Sequence, residues 1–297
     1  MTRRPVPTGN RVSAMSASLV RRLLAEFVGT GLLVLFGAGS VVAALTMNGG
    51  RLAYGGLGII ALAFGLVVAL VIYAIGTTSG AHINPAVTIG LAAARRFRWA
   101  EVAPYVAAQL LGAVVGALLI VAYVGSRATD FGSVGVTALG PGVNGLQGIV
   151  AEALGTFLLV FTIMAVAVDK RAPAGWAGFL IGLAVAAEIM LIGPFTGGSV
   201  NPARSFGPYL VNQLFGGSTP WSEFYVYIIG PLLGGTAGAL AYDLLARPGA
   251  AVVGGAPVEA GTPAAEAPAA TAGETGPPAE VPTQSRREAP SRSETKT

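Results

Sequence analysis

Two related stretches, Ser79–Ala86 (SGAHINPA) and Thr196–Arg204 (TGGSVNPAR), decide how this chain folds. In each stretch, small residues lead into Asn-Pro-Ala, and an apolar run follows, Val87–Ala94 after the first and Ser205–Leu214 after the second. Asn is favoured just before a helix, and Pro is tolerated at the first helical position because its missing N–H would have no partner there. Each stretch therefore predicts a helix that starts at its Asn-Pro pair.

A single Asn-Pro-Ala is a weak signal, because turns before helices often contain these residues. Two copies in matching surroundings are far more specific. A helix N-terminus carries about half a positive charge. Two such ends that meet inside a membrane repel cations and leave the amides of Asn84 and Asn201 to donate hydrogen bonds. The repeated stretch therefore favours a pore for neutral solutes.

The composition indicates an integral membrane protein. Of the 297 residues, 53% are hydrophobic and 11% are charged, whereas soluble domains carry roughly 25% charged residues. The chain has no cysteine, and its one histidine is His82, so we expect no metal and no cofactor. The net charge of +4 comes from basic residues at the ends of apolar runs, which argues against nucleic-acid binding.

Six apolar runs have about the twenty residues that a helix needs to cross a bilayer. They are Leu23–Leu45, Gly56–Ile75, Val102–Val124, Ile149–Val168, Ala172–Ile192 and Phe224–Leu245. The runs that follow the two Asn-Pro-Ala motifs are too short to cross. The predicted fold is an all-α membrane protein with six transmembrane helices and two re-entrant half-helices.

An internal repeat relates the two halves of the chain. Ala25–Thr30 (AEFVGT) matches Ala151–Thr156 (AEALGT) 126 residues later, and the Asn-Pro-Ala motifs are 117 residues apart. Three spans per half is an odd number, so the second half enters the bilayer in the opposite sense and the half-helices point at each other near the midplane. The sequence therefore predicts an inverted repeat.

The domain boundaries follow from the repeat and the composition. We expect a channel domain over residues 20–247, with repeat one at 20–125 and repeat two at 146–247. The flanking segments, 1–19 and 248–297, are polar or rich in Pro, Ala and Gly. Such composition cannot bury enough apolar surface to order itself, so we expect a disordered cytosolic leader and tail.

The basic residues predict the orientation in the membrane. They cluster at the N-terminus, at Arg95–Arg98, at Lys170 and Arg171, and at Arg247, all on one side of the predicted bundle. By the positive-inside rule that side is the cytoplasm. Both termini should be cytoplasmic, and the connection of residues 126–145 should lie outside.

The paired motifs, with Arg204 directly after the second, resemble those of the aquaporin and glycerol-facilitator channels, and the resemblance extends from about Arg21 to Arg247. It implies a passive channel for water, with small neutral solutes as further candidates and a glycerol facilitator as the alternative within the family. It also implies exclusion of protons and ions, a multi-pass protein of the plasma membrane, and a homotetramer with four independent pores.

The resemblance places a selectivity filter at four positions, which are Phe64, Ile189, Gly198 and Arg204. Strict water channels of this family have histidine at the second position and glycerol facilitators have glycine, so isoleucine matches neither group. Outside the filter, Ser205 and Tyr227 resemble the water group, whereas Ile228 resembles the glycerol group. This combination is most similar to the archaeal-type aquaporins. It implies fast water flux with slow passage of glycerol.

The unwound backbone before each motif should supply carbonyl acceptors to the pore, because irregular backbone at membrane depth is tolerated where it lines water. The expected residues are Gly80, Ala81, His82, Ile83, Gly197 and Ser199, beside the motif residues Asn84, Pro85, Ala86, Asn201, Pro202 and Ala203. The opposite wall should consist of apolar side chains from spans one, two, four and five.

Three carboxylates and one histidine lie within the predicted spans and loops. The resemblance implies that Glu26 and Glu152, at equivalent positions of the repeat, brace the irregular backbone by accepting N–H bonds, with a proton relay as the alternative. Glu188 has no counterpart in the first half, and a structural, pore-lining or interface role stays open. His82 is expected to be satisfied by local hydrogen bonds, with a pH-dependent gate as the alternative.

Two function classes compete with a channel. A secondary transporter also uses inverted repeats and broken helices, but it needs coupling-ion ligands or a charged substrate site at the midplane, and the predicted core is neutral apart from Arg204 and the three carboxylates. A membrane enzyme lacks the necessary inventory, because there is one His, no Cys and no suitably spaced carboxylate pair. We therefore expect a channel and no enzyme.

Overall fold

The computed structural model describes residues 10–246, and the regular elements in that range are all helical. The helices are α1 (Asn10–Leu32), α2 (Gly39–Met47), α3 (Tyr54–Ser79), α4 (Pro85–Ala93), α5 (Trp99–Val124), α6 (Arg127–Asp130), α7 (Gly145–Ile163), α8 (Ala177–Thr196), α9 (Pro202–Leu214) and α10 (Val226–Ala246). Two π-helical segments, Leu33–Ala38 and Met164–Val168, join α1 to α2 and extend α7. Short 3-10 turns occupy Ser133–Gly135 and Trp221–Glu223.

Six helical spans in the described range are long and apolar enough to cross a membrane, as the sequence predicted. They are Leu19–Met47, Tyr54–Ser79, Trp99–Val124, Gly145–Val168, Ala177–Thr196 and Trp221–Ala246. The helices that follow the Asn-Pro-Ala motifs, α4 and α9, have 9 and 13 residues, which is fewer than the roughly twenty that a crossing requires. The all-α fold with six spans and two re-entrant half-helices is confirmed.

Both half-helices begin where the Asn-Pro pairs predicted. The Oδ1 atom of Asn84 accepts from the backbone N–H of Ala86 at 2.8 Å, and proline follows at the first helical position. The Oδ1 atom of Asn201 accepts from the N–H groups of Ala203 and Arg204 at 3.0 and 3.2 Å. The prediction that both asparagines are N-caps is confirmed.

Close backbone contact joins α1 to α5 through glycines. A β carbon on Gly112 would collide with the carbonyl group of Phe27, and one on Gly116 would collide with the carbonyl group of Gly31. Only glycine permits two helix backbones to approach this closely. Gly112 and Gly116, four residues apart, thus form a small-residue packing face on the third span.

The second half of the chain repeats this contact between α7 and α10. A β carbon on Gly234 would meet the carbonyl group of Ala153, and one on Gly238 would meet that of Phe157. Gly234 and Gly238 on α10 lie 122 residues after Gly112 and Gly116. Ala153 and Phe157 on α7 lie 126 residues after Phe27 and Gly31. The two halves therefore pack in the same way, as an inverted repeat requires.

Two helix boundaries differ from the predictions by five residues or more. The helix α1 begins at Asn10, so the prediction of a disordered leader needs correction for residues 10–19. These residues contain no Pro or Gly, and the helix continues through them. The fifth span begins at Ala177 rather than Ala172, because Pro173 and the left-handed Gly175 (φ 87°) interrupt the chain before it. Residues 1–9 and 247–297, where the predicted leader and tail also fall, lie outside the described range.

Candidate functional site

A cavity of about 290 Å³ is lined by the stretches that lead into both half-helices and by four of the spans, and its lining includes Arg96, Ile189 and Arg204. Its apolar wall is formed by Leu33 of the first span, Val68 and Ile72 of the second, Leu159, Ile163, Ala167 and Val168 of the fourth, and Ile181, Val185 and Ile189 of the fifth. Residues of spans one, two, four and five therefore line the cavity as predicted, and Val87 and Leu91 of α4 add further apolar surface.

The other wall is the backbone that precedes the half-helices. Of the six residues predicted to supply carbonyl groups, Gly80, Ala81, His82, Ile83 and Ser199 line the cavity. Gly197 does not line it, whereas Val200, which the prediction omitted, does. The two asparagines lie on the same wall. The cavity lining thus combines the backbone stretches before both half-helices with apolar residues of four spans.

The backbone of this polar wall is strained at equivalent positions of the two halves. Positive φ angles occur at Gly80 (91°), Ala81 (48°) and Ile83 (44°), and again 117 residues later at Gly197 (79°), Gly198 (62°) and Val200 (48°). For residues other than glycine this conformation costs about 1–3 kcal/mol and persists only where surrounding contacts hold it. The bonds that hold it come from buried carboxylates, asparagines and tyrosines.

Glu26 holds the first strained stretch. Its side chain is completely buried, and Oε1 accepts from Ser79 Oγ at 2.7 Å and from the His82 N–H at 2.9 Å. Its Oε2 atom accepts from the Ile83 N–H at 2.7 Å and from Gln109 Nε2 at 2.8 Å. These N–H groups have no helical partner, and at membrane depth an unpaired N–H costs several kcal/mol.

Glu152 occupies the equivalent position in the second half. It is also completely buried, and its Oε1 and Oε2 atoms accept from the N–H groups of Ser199 and Val200 at 3.0 and 2.6 Å. Each carboxylate thus accepts hydrogen bonds from N–H groups of the irregular backbone in its own half of the repeat.

Two tyrosines hold the ends of the helices that lead into the strained stretches. Tyr105 donates its hydroxyl hydrogen to the carbonyl oxygen of Ser79 at 2.9 Å, and Tyr227 donates to that of Thr196 at 2.9 Å. Ser79 and Thr196 are the last residues of α3 and α8. The sequence reasoning missed Tyr105 and Gln109. The 122-residue spacing of the two tyrosines is the signal that could have found the first.

The two Asn-Pro-Ala motifs are bonded to each other. Asn84 Nδ2 donates to the carbonyl oxygen of Val200 at 2.8 Å, and Asn201 Nδ2 donates to that of Ile83 at 2.8 Å. Each amide nitrogen carries two hydrogens, so each asparagine keeps one further hydrogen. The side chains that the sequence placed at the pore centre therefore also lock the two halves together.

The four predicted filter residues form two contacting pairs. The guanidinium carbon of Arg204 lies 5.0 Å from the ring centroid of Phe64, and a β carbon on Gly198 would lie 3.4 Å from Cα of Ile189. Ile189 and Arg204 line the cavity, whereas Phe64 and Gly198 do not. One member of each pair therefore lines the cavity.

The connection before α7 contacts Arg204, Ser205 and Tyr209 of α9, which the sequence did not predict. Arg204 Nη1 donates to the carbonyl oxygen of Gly135 at 2.7 Å. The Oγ1 atom of Thr137 lies 2.8 Å from Ser205 Oγ, and the hydroxyl of Tyr209 donates to the Thr137 carbonyl oxygen at 2.7 Å. The connection therefore fixes the guanidinium of Arg204 from a part of the chain about 70 residues away.

Glu188 differs from the other two intramembrane carboxylates. It is 1% exposed and does not line the cavity, and within the described residues neither carboxyl oxygen has a hydrogen-bond partner. Its β carbon faces Gly155. At the equivalent place in the first half, Val71 faces Gly29. The first half thus shows that the fold accommodates an apolar residue at the position equivalent to Glu188.

His82 is held by local contacts. Its Nδ1 lies 3.2 Å from Thr88 Oγ1, and its ring packs against Phe97 and Tyr105 with centroids 4.7 and 5.3 Å apart. This arrangement agrees with a locally satisfied histidine on the cavity wall.

Comparison with known proteins agrees with this geometry. The sequence profile of the family described as "Major intrinsic protein" matches residues 13–242. "Aquaporin AqpM" of Methanothermobacter marburgensis is 47% identical over 241 residues, covering 77% of this chain and 98% of the relative. "Glycerol uptake facilitator protein 3" of Lactiplantibacillus plantarum is 38% identical, covering 78% of this chain and 99% of the relative.

A comparison with solved structures also finds a match to this fold. The X-ray structure of the aquaglyceroporin from Plasmodium falciparum matches with a TM-score of 0.70 and 26% identity, covering 77% of this chain and 98% of that one. The profile match spans most of the chain, and the archaeal relative is covered almost completely. With its inverted repeat of six spans and two facing half-helices, this chain belongs to the major intrinsic protein family.

Proposed function

We propose that this protein is a passive channel that conducts water rapidly and small neutral solutes such as glycerol slowly. The observation that carries the proposal is the cavity itself, which is lined by the backbone stretches before both half-helices and by apolar residues of four spans. Molecules that pass through it can bond to one side only, so they move in single file along the acceptors. The names of the relatives, which include aquaporins and a glycerol facilitator, support the same solutes.

The two asparagines would orient the permeating water. Each keeps one amide hydrogen beyond its bond to the opposite motif, and both lie at helix N-termini that carry partial positive charge. A water whose oxygen accepts from both amides points its hydrogens away from each other. This orientation and the positive helix ends together oppose the passage of protons and cations.

Phe64, Ile189, Gly198 and Arg204 would form the filter. Ile189 offers no donor and Gly198 offers no side chain, so the opening is wider and less polar than one that contains histidine. Arg204 supplies donors and a positive charge that rejects cations. The bonds that Glu26 and Glu152 accept from the strained backbone support a bracing role for both. Because the carboxyl oxygens of Glu26 and Glu152 are occupied by these hydrogen bonds, a proton relay through them is disfavoured.

We further propose a plasma-membrane location with both termini cytoplasmic, and a homotetramer of independent pores. Basic residues at Arg95–Arg98, Lys170 and Arg171 support the orientation. A reporter fused to the N-terminus and found on the external face would contradict it. For the assembly, native mass measurement in detergent should give four copies, and a stable monomer or dimer would contradict that.

Light scattering from vesicles that contain the purified protein tests the solute preference. After a shift into an impermeant osmolyte, these vesicles should shrink much faster than empty ones. In glycerol they should shrink quickly and then swell again slowly as glycerol enters. Glycerol entry faster than water exit would assign the chain to the alternative of a glycerol facilitator.

A further inference from the structure

Gly37 lies directly beside the ring of Phe64. A β carbon on Gly37 would stand 2.8 Å from Cζ of the ring and closer still to Cδ1 and Cε1. Real β carbons are essentially never found within 3.0 Å of another heavy atom in this way. Any side chain at position 37 would therefore have to displace the ring or separate the helices.

The backbone does not account for this glycine. Gly37 lies within the π-helical segment Leu33–Ala38, and it is not among the residues with positive φ. In the second half, the position 126 residues later is occupied by Ile163. Glycine inside a helix is less favourable than alanine, so the contact with Phe64 is the reason that the structure offers for it.

The helices on either side of this contact are not free to separate. On α3, the residue after Phe64 is Gly65, whose β carbon would lie 2.5 Å from the carbonyl oxygen of Gly182 on α8. On α1, Gly31 packs in the same way against Gly116 of α5. Both backbones are already in contact with their other neighbours, and packed interiors transmit such strain. A side chain at position 37 would therefore move the ring of Phe64.

We propose that Gly37 is a positioning residue that sets how far the Phe64 ring stands from Arg204, and therefore sets the width of the filter. This inference rests on the proposed filter. The guanidinium of Arg204 packs over the same ring, so displacing that ring from Gly37 alters the contact between Phe64 and Arg204, and we take the opening to narrow as a result. A narrower opening lowers the permeability of larger neutral solutes more than it lowers the permeability of water.

The asymmetry of the repeat agrees with this assignment. The positions equivalent to Gly37 and Phe64 in the second half are Ile163 and Ile181, which both line the cavity. The pairing of a glycine with a large ring thus occurs in the first half and not at the matching positions of the second. The π-helical segment that contains Gly37 corresponds to residues 159–164, whereas the second π-helical segment covers Met164–Val168, so the two overlap at one residue. Such segments are frequent at functional sites.

Gly37→Ala tests the proposal. The ratio of glycerol to water permeability in vesicles should fall roughly tenfold, the discrimination that about one methylene group gives in an apolar site. Gly39→Ala is the matched control, because its β carbon would have no contact nearer than 3.5 Å, with Tyr123 Oη. This control should leave the ratio unchanged. In a Phe64→Leu background, Gly37→Ala should also leave the ratio unchanged, because there is then no ring to displace.

Each outcome decides between the proposal and a purely structural role. An unchanged ratio in Gly37→Ala, or an equal loss in the Phe64→Leu background, would overturn the proposal. If Gly37→Ala fails to assemble, adding Phe64→Leu must restore assembly, and failure to do so would also overturn it. The filter assignment itself fails in a different way, namely if Phe64→Leu alone leaves the ratio of the parent unchanged.

Discussion

The side-chain amide of Asn84 donates a hydrogen bond of 2.8 Å to the carbonyl oxygen of Val200, 116 residues further along the chain. The reciprocal bond runs from Asn201 to Ile83 at 2.8 Å. Each asparagine therefore has three tasks, since its oxygen caps a half-helix, one amide hydrogen joins the two halves, and the other is left for the cavity. A carboxylate can perform only the first of these.

We predict that Asn84→Asp and Asn201→Asp each admit cations. Aspartate still caps the helix, but it cannot donate to the opposite carbonyl, and it places negative charge beside the positive helix ends. Both variants should be less stable and should show cation conductance in planar bilayers. Asn144→Asp is the matched control, because Asn144 caps α7 at an exposed site. If the variants assemble and conduct no more cations than the parent, the electrostatic account is refuted.

We predict that Ile189→His lowers glycerol permeability more than water permeability, by roughly tenfold in the ratio, because a larger polar ring narrows an apolar opening. Ile189 is 2% exposed and lines the cavity. Ile189→Val, which keeps the apolar character, should leave the ratio close to that of the parent. Stopped-flow light scattering measures both permeabilities. A ratio that does not change in Ile189→His would remove this residue from the filter.

We predict that Glu188→Val stabilises the protein. Within the described residues both carboxyl oxygens are buried without a partner, and an unsatisfied buried polar group costs about 1–3 kcal/mol. Valine already fills the equivalent position at residue 71. Thermal unfolding in detergent should shift upward by roughly 2–4 °C per kcal/mol gained.

Glu152→Val is the contrasting variant for this prediction. It removes the acceptor of two backbone N–H groups, so its unfolding temperature should fall. A large loss of stability or of water flux in Glu188→Val would show instead that the carboxyl group of Glu188 has a partner or a function.

We predict that Asp169 pins the connection between the fourth and fifth spans. Its carboxylate accepts from the side chain and the N–H of Arg171, both at 2.9 Å, and from the hydroxyl of Tyr242 at 2.8 Å. These bonds, those of Arg171 first, hold the pKa of Asp169 well below its ordinary value of 3.8. A lowered pKa means that the stabilisation is fully present above that ordinary value and is lost as the pH falls below it.

Hydrogen exchange over residues 169–176 measures this effect. After correction for intrinsic rates, protection should be constant between about pH 5 and 8 and should decline at lower pH. Asp169→Asn should reduce protection at neutral pH. Asp243→Asn, which breaks the separate ion pair with Arg96, should leave this connection unchanged. Equal protection in the parent and Asp169→Asn would show that the carboxylate does not hold the connection.

Much of the architecture could be predicted from the sequence, because its causes are local. The spans follow from runs of apolar residues, and the starts of the half-helices follow from the fixed φ of Pro85 and the side-chain acceptor of Asn84. The apolar cavity wall followed from the order of the spans. The spans and the starts of the half-helices depend on residues that are close together in the chain.

The parts that could not be predicted depend on distances between remote segments. The bond from Asn84 to Val200, the contact of Arg204 with Gly135 and the seating of Phe64 against Gly37 each need two helices or connections at a particular separation. Apolar periodicity carries no information about that separation. The Tyr105 brace is an intermediate case, because aligning the third span with the sixth would have placed it opposite Tyr227.

The central claim is that the pore conducts water while it excludes protons. The direct measurement follows osmotic shrinkage and the fluorescence of an enclosed pH indicator on the same vesicles, with a pH gradient across the membrane. We expect shrinkage much faster than in empty vesicles and a proton leak equal to theirs. Water flux no higher than in empty vesicles, or a proton leak that rises with the amount of protein, would contradict the account.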